Sequence, residues 1–385
     1  MRIAMMGSRG VPALYGGSET AIEEIGERLV QKGHEVAVYC RRHNSKTDEK
    51  YHKGMRRVVL PSLNTKNLDT PTHTFLSTLH ALIFARPDVI HFHGIGNAIV
   101  LPLLKLARVR SVITIDGPDW ERPKWGPLAR MVLKLSARMA SRMADALIID
   151  NRIAQRYFAE NFGTTSAYVP YGAYLEPEEG TDELERLGFE DRRYILFVGR
   201  LIPDKGVHLL VEAFEGVKTD MKLAIVGDNP YFPDYIERLK ATKDSRIKFL
   251  GYVFGRPYRQ LCSHAHIYAH PLLVDGTSPA LLQAMGFGNC ILSSAVPEAM
   301  DVIGDAGFSF RYDDAKDLRR VLQKLIEDPA LVEQARHKAR QRVAELFNWD
   351  RVTAEHEQVY RAALGDGALP QTGEATGLEV ESTSR

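Results

Sequence analysis

Along the chain, short apolar runs alternate with stretches in which apolar positions recur every three or four residues. The first pattern predicts buried strands and the second amphipathic helices. Ile3-Ala4-Met5-Met6 opens the series, followed by a glycine-rich loop and a helix through Arg28 to Gln31 that Gly33 ends. Val36-Ala37-Val38-Tyr39 is the next strand; Val89-Ile90-His91-Phe92, Ser111-Val112-Ile113-Thr114, Ala146-Leu147-Ile148-Ile149 and Ala167-Tyr168-Val169 continue it. Pro170-Tyr171-Gly172 to Gly180, rich in Pro, Gly and Glu, reads as a linker. A second series then begins with Tyr194-Ile195-Leu196-Phe197-Val198 and runs through Leu223-Ala224-Ile225-Val226, Ile247-Lys248-Phe249-Leu250, Ile267-Tyr268-Ala269 and Cys290-Ile291-Leu292. Repeated strand–helix units predict an α/β chain of two doubly wound parallel sheets, with ligands at the carboxyl ends of the strands. The length, 385 residues, suits two cores rather than one.

Charge adds an asymmetry to this picture. Residues 1–170 carry 24 Lys and Arg against 15 Asp and Glu, and the rest of the chain carries 26 against 34. The split points to an anionic partner for the first half; no nucleic-acid partner is expected. Cys40, Cys262 and Cys290 are scattered, without metal spacing, and fit a reducing compartment. The chain opens directly on a strand, so no leader is expected, and no apolar run approaches the roughly 18 residues of a membrane span. A cytoplasmic location is expected, or one on the inner face of the cell membrane. The segment 366–385 is polar and aperiodic and is expected to be disordered. Its Leu369-Pro370-Gln371-Thr372-Gly373 matches a sorting signal but lacks the apolar tail that wall anchoring needs.

Four strand-end loops hold the candidate chemistry. Gly7-Ser8-Arg9-Gly10, extended to Tyr15-Gly16-Gly17-Ser18, leads into a helix whose Thr20-Ala21-Ile22-Glu23 fits a capping box. Its glycines would let backbone N–H groups approach an anion. The spacing is not G-x-G-x-x-G, and Arg41-Arg42 stands where a ribose-binding acid would be expected, which disfavours a dehydrogenase. Gly199-Arg200-Leu201-Ile202-Pro203-Asp204-Lys205-Gly206 puts two cations on one loop, suited to a leaving diphosphate. In Val274-Asp275-Gly276-Thr277-Ser278-Pro279, Ser278 and Pro279 read as the N-cap and first residue of a helix, with Gln283 just over a turn inside. His91-Phe92-His93-Gly94 and Thr114-Ile115-Asp116-Gly117 end two further strands. An H-x-H pair needs a third ligand to hold zinc, and none has suitable spacing, so no metal is expected.

The order Gly16-Gly17, Gly199-Arg200, Lys205-Gly206 and an acid-x7-polar element resembles the retaining glycosyltransferases of family 4. That resemblance covers nearly the whole chain to about Leu364. It implies the GT-B fold, two Rossmann-like doubly wound domains facing each other across a cleft: residues 1–170 on the acceptor side and 171–349 for the nucleotide sugar, with the Trp349-Asp350 helix bringing 350–364 back onto the first. The opening motif to Thr20, with Asp116-Gly117-Pro118-Asp119-Trp120, is similar to a bacterial branch that includes polysaccharide rhamnosyltransferases. The resemblance implies donor contacts by Gly16 and Gly17, diphosphate binding by Arg200 and Lys205, and sugar contact by Asp275 with Gly276, Thr277 and Ser278. Gln283 would reach the nucleotide ribose, while His93, Asp119 and Trp120 would lie on the acceptor side. Two positions depart from the family pattern: its E-x7-E is here Asp275-x7-Gln283, and a histidine of many relatives falls on Asp116. The expected reaction is transfer from a nucleoside diphosphate to a glycan or polyprenyl-diphosphate-linked acceptor, with retention and without metal or cofactor. Inversion with Asp116 as general base, and a non-catalytic sugar-binding partner subunit, are the alternatives.

Between Pro127 and Asp145 a helix is expected, with Arg130, Lys134, Arg138 and Arg142 on one stripe. Leu128, Met131, Val132, Leu135, Met139 and Met143 form an apolar stripe beside it. With its apolar side on the core and its cations solvated, this is an ordinary amphipathic helix; the positive balance of the first half points instead to the four cations meeting an anionic membrane surface.

Overall fold

In a computed structural model, the chain is described over residues 1–370 apart from 14–15, 66, 122–124 and 274–277. The apolar runs pair into two sheets. The first contains β1 (Arg2–Met6), β2 (Glu35–Arg41), β3 (Tyr51–His52), β4 (Met55–Leu60), β5 (Val89–His93), β6 (Arg110–Ile115), β7 (Ala146–Ile149) and β8 (Ala167–Tyr168). Their order is β3-β4-β2-β1-β5-β6-β7-β8, parallel except for β3 against β4. The second is wholly parallel: β9 (Tyr194–Val198), β10 (Lys222–Val226), β11 (Ile247–Gly251), β12 (Ile267–His270), β13 (Cys290–Ser294) and β14 (Phe308–Phe310), in the order β11-β10-β9-β12-β13-β14. The protein is therefore two Rossmann-like α/β domains.

Strands covered by helices on both faces are apolar throughout rather than alternating. Ile3 to Met6 and Tyr194 to Phe197 are accordingly buried. In the first sheet the strand order reverses at β1, which lies between β2 and β5; in the second it reverses at β9, between β10 and β12. Crevices at such switch points are where open α/β sheets bind ligands. The two glycine-containing loops leave from these two strands.

The helix after β1 spans Gly17–Gln31, with Gly16 at its N-cap. Thr20 lies inside it and donates its hydroxyl to the Gly16 carbonyl at 3.1 Å, so the capping box does not form. Glu23, expected to serve the helix, serves the loop instead, and so does Glu19. Glu19 accepts the Arg9 N–H at 3.3 Å and Glu23 accepts the Ala13 N–H at 2.6 Å.

The stretch read as a linker is packed. Ala173 is 3% exposed, its N–H donates to the Phe347 carbonyl, and it bridges Asn348. Asn348 caps the following helix, Trp349–Leu364. That helix lies on Gly17–Gln31, and its Trp349, Val352, Val359 and Tyr360 share one core with Ile3, Met5, Ile22 and Ile25. Arg28 joins Asp350 at 2.8 Å and Lys32 joins Glu357 at 3.0 Å along the seam. Each buried apolar side chain there contributes about 1.5–3 kcal/mol, whereas partly exposed ion pairs contribute about 1 kcal/mol or less. The apolar seam carries the return. Leu369 packs against the same core, so the tail expected to be disordered starts with an anchored residue; 371–385 lie outside the described residues.

Where the return helix meets the first sheet, three imidazoles gather. The His91 and His93 ring centroids are 4.1 Å apart, and His91 and His356 lie 5.7 Å apart. Burial pushes His93 down to about 3 and His356 to about 4, and drives His91 well below its ordinary value. Folded values below the unfolded value of about 6.5 mean that the native state favours neutral imidazole, so stability falls as pH drops below 6.5. Carboxylates titrate near 4 in an unfolded chain and leave the window from 6.5 to 5 to histidines: these three, and His34, His73, His80, His208 and His266, which burial also holds down. The melting temperature is therefore expected to fall from pH 7 to pH 5, and His356→Gln to make that fall shallower. An unchanged melting temperature across this range would contradict the neutral cluster.

Candidate active site

The loop after β9 is held from both sides. Gly199 N–H donates to the Val226 carbonyl at 3.0 Å, then Pro203–Lys205 forms a single 3-10 turn before the helix Val207–Glu215. Gly206 has φ 64°, and a Cβ there would lie 1.7 Å from the Pro271 carbonyl oxygen. The Asp204 carbonyl accepts the Leu273 N–H at 2.9 Å. The loop with Arg200 and Lys205 is thus laced to the chain leaving β12, as adjacent parallel strands require. Arg200 is exposed and makes no ion pair among the described residues, while Lys205 is half-buried. Two cations on a constrained turn present positive charge at little ordering cost.

Asp275, Gly276 and Thr277 lie outside the described residues. Ser278 does occupy the N-cap of the helix Pro279–Gly286, with Pro279 at its first position, but its hydroxyl makes no capping bond among the described residues. Gly17 belongs to this site through contact: a Cβ on it would lie 2.5 Å from Pro279 Cγ. The amino ends of Gly17–Gln31 and Pro279–Gly286, one from each domain, therefore meet across the cleft. Each contributes first-turn N–H groups that its own helix leaves without an intrahelical partner, and a partial positive charge.

Gln283 has a second occupation. Its Oε1 accepts the Tyr174 N–H and its Nε2 donates to the Tyr174 carbonyl, both at 3.2 Å. An amide can satisfy both main-chain groups, whereas a carboxylate can accept but not donate. That accounts for glutamine at this position. Tyr174 in turn donates its phenol to Glu24 at 2.5 Å, and Glu24 pairs with Arg28 at 2.6 Å.

Asp116, at the end of β6, receives the Tyr171 phenol at 3.3 Å. Asn151 donates to the Asp116 carbonyl at 3.0 Å and to the buried Asp150 at 2.9 Å, while capping the helix Arg152–Phe162. Burial, then the carboxylates of Asp116 and Asp150, push the Tyr171 phenol well up, so it stays a donor. His93 faces a narrow crevice with Thr114, Asp150 and Tyr171. His91 is structural: its nitrogens meet Tyr360 Oη at 2.8 Å and Thr114 Oγ1 at 2.7 Å. Asp119 begins a single turn, Asp119–Glu121. Trp120, expected on the acceptor side, is 4% exposed: it packs against Tyr157, Phe158 and Phe162 beneath that turn and borders a concavity of about 660 Å³. Among the described residues no three His, Cys, Asp or Glu side chains converge as a metal site.

Sequence reading missed Tyr171, Tyr174, Asp150 and Asn151, since two lay in the apparent linker and two just past a strand end. It also missed a cavity of about 160 Å³ lined by Arg9, Glu19, Ser45, Lys46 and Thr47 at the ends of β1 and β2. Arg57 builds its wall by donating to the carbonyls of Val11 at 2.8 Å and Thr47 at 3.0 Å.

Two family models match complementary parts of the chain: "Glycosyltransferase Family 4" over residues 15–173 and "Glycosyl transferases group 1" over 192–328. The chain belongs to the group 1, family 4 glycosyltransferases of GT-B fold. This glycosyltransferase is 26% identical to the glycogen synthase of Mycobacterium tuberculosis, with 96% of its own length and 97% of the relative's covered. It is also 26% identical to a GDP-mannose-dependent alpha-(1-6)-phosphatidylinositol monomannoside mannosyltransferase of Mycolicibacterium smegmatis, over 83% and 87% of the two chains. Sucrose-phosphate synthase from Thermosynechococcus elongatus superposes with a TM-score of 0.80 at 19% identity, over 95% of this chain and all of that one, which establishes the shared fold. These relatives do not single out rhamnosyl transfer.

In this glycosyltransferase the Gln283 pair ties the Pro279 helix to the inter-domain crossover. Gln283→Ala is expected to lower stability by about 1–3 kcal/mol by leaving two main-chain groups unpaired, and Gln283→Glu to lose part of this by setting a carboxylate against a carbonyl. Urea unfolding followed by intrinsic fluorescence measures both. Wild-type stability in both variants would free Gln283 from the crossover.

Proposed function

We propose that this glycosyltransferase moves a sugar from a nucleoside-diphosphate donor to an acceptor hydroxyl on a glycan or lipid-linked glycan, in the synthesis of a cell-surface polysaccharide or glycoconjugate. One observation carries the reading: the Arg200–Lys205 turn is laced to the segment that feeds the Pro279 helix, and that helix end meets Gly17 of the other domain. Breaking the bond from anomeric carbon to diphosphate builds negative charge on the leaving group and positive charge on the sugar. Arg200, Lys205 and the two helix ends answer the first; Asp275 is assigned to the second.

The acceptor oxygen bonds to the anomeric carbon on the face that the diphosphate leaves, and its proton passes to the departing phosphate, so configuration is retained. Tyr171 supports this course over inversion by Asp116, because a phenol donating to a carboxylate stabilises its charged form and weakens it as a base. His93, pushed down to about 3, stays neutral on the acceptor side. The cavity by Arg9 and Lys46 suits the acceptor. No metal or cofactor enters the reading, since protein cations and N–H groups take the leaving-group charge. A rhamnosyl-type donor is proposed from the opening motif and Asp116–Trp120 alone.

Arg200→Ala and Lys205→Ala are each expected to lower kcat by roughly 10²–10³ through loss of a leaving-group contact, with the acceptor KM little changed. Steady-state kinetics on folded variants measures this. Near-normal turnover in Arg200→Ala removes the diphosphate assignment.

A further inference from the structure

The helix Pro127–Met143 divides its large apolar residues: Leu133, Met139 and Met143 pack on the core, while Leu128, Met131 and Leu135 face out. Its buried residues are the small Ser136, Ala137 and Ala140, which let it pack closely on the turn Ile95–Val100. Leu128 is 71% exposed, Met131 62% and Leu135 50%. Arg130, Lys134, Arg138 and Arg142 are exposed on the same arc, interleaved with these three, and none is in an ion pair among the described residues. The helix contains no acidic residue. The four cations line a concavity of about 660 Å³ together with Tyr157 and Glu121. The helix Asp69–His80 also packs on Ile95–Val100, and with the turn that follows it exposes Phe75, Ile83 and Phe84.

A core-facing helix would bury its large apolar residues, and a solvent-facing one would carry acids among its cations. This one leaves three large apolar residues exposed and carries no acid among its cations. Seventeen residues at 1.5 Å each give an exposed arc of about 25 Å in which cations and large apolar side chains share one side. That is the composition of a helix lying in a membrane interface, with cations meeting lipid phosphates and apolar side chains entering the acyl boundary.

We propose that this face of the first domain docks on an anionic phospholipid surface, with a headgroup phosphate seated in the concavity of Arg130, Lys134, Arg138 and Arg142. Charge complementarity selects the occupant: four exposed cations with no ion pair among the described residues, and Leu128, Met131 and Leu135 exposed on the same arc, fit a plane of phosphates over hydrocarbon. The inference stands apart from the transfer reading, because docking is measured without turnover. No helix among the described residues is long and apolar enough to span a membrane, so attachment would be peripheral and reversible.

The test is co-sedimentation of the full chain with vesicles of phosphatidylcholine alone and of phosphatidylcholine with phosphatidylglycerol. Wild type is expected to pellet with the anionic vesicles only, and less as salt rises. Each Lys or Arg near such a surface contributes roughly fivefold in affinity, so Arg130→Gln with Lys134→Gln, Arg138→Gln and Arg142→Gln should weaken binding several-hundredfold. Leu128→Ser with Met131→Ser and Leu135→Ser should weaken it while leaving the salt dependence. Both variants are expected to keep the wild-type melting temperature, since all seven residues are exposed. Equal pelleting of wild type and the four-cation variant, or no pelleting of wild type at low salt, overturns the proposal.

Discussion

A parallel sheet sends every strand's carboxyl end to the same edge, and the chemistry of this glycosyltransferase depends on that constraint. The loop holding Gly16 and Gly17 leaves β1, and the loop holding Arg200 and Lys205 leaves β9, each at the point where strand order reverses. Asp116 directly follows β6, and the chain leaving β12 leads to Pro279. Residues far apart in sequence therefore collect at two edges. What remains is to hold those edges face to face.

The chain does so by crossing between the domains twice. Ala173 bridges Asn348, so the outgoing and returning strands of the crossover run side by side. From there a continuous path of bonds joins the site to the framework. Gln283 holds the Tyr174 main chain, the Tyr174 phenol reaches Glu24, Glu24 pairs with Arg28, and Arg28 reaches Asp350 on the return helix. The buried apolar faces of Trp349, Val352 and Tyr360 supply most of the energy of this junction, and the polar path sets its geometry. A second contact, Arg152 with Asp301 at 3.7 Å, links the Arg152–Phe162 helix to the second domain.

Much of the fold was legible because buried parallel strands are uniformly apolar. β5, β9 and β12 are plain in the sequence for that reason. β4 was missed because Met55-Arg56-Arg57-Val58 carries two cations, and only the fold shows Arg57 turned inward onto the carbonyls of Val11 and Thr47. β14, three residues long, has too little pattern to read. The cations of the second loop were legible from their types and spacing. Tyr171 and Tyr174 were not, because the Pro, Gly and Glu around them resemble a solvated linker, and the packing that buries them comes from residues 347–349. The helix Pro127–Met143 shows the opposite case. Its apolar spacing alone could not say which way it faced, because the small residues Ser136, Ala137 and Ala140 form the buried side.

On the proposed reading, the cleft between the two strand-end edges binds a nucleoside diphosphate through Arg200, Lys205 and the opposed helix ends. The decisive measurement is calorimetric titration of the full chain with UDP, GDP, ADP and dTDP, with the Arg200→Ala, Lys205→Ala double variant alongside. One-to-one binding of at least one of these nucleotides to the wild type is expected, and its loss in the double variant at unchanged melting temperature. No binding by any of the four, or equal binding by the variant, would overturn the reading.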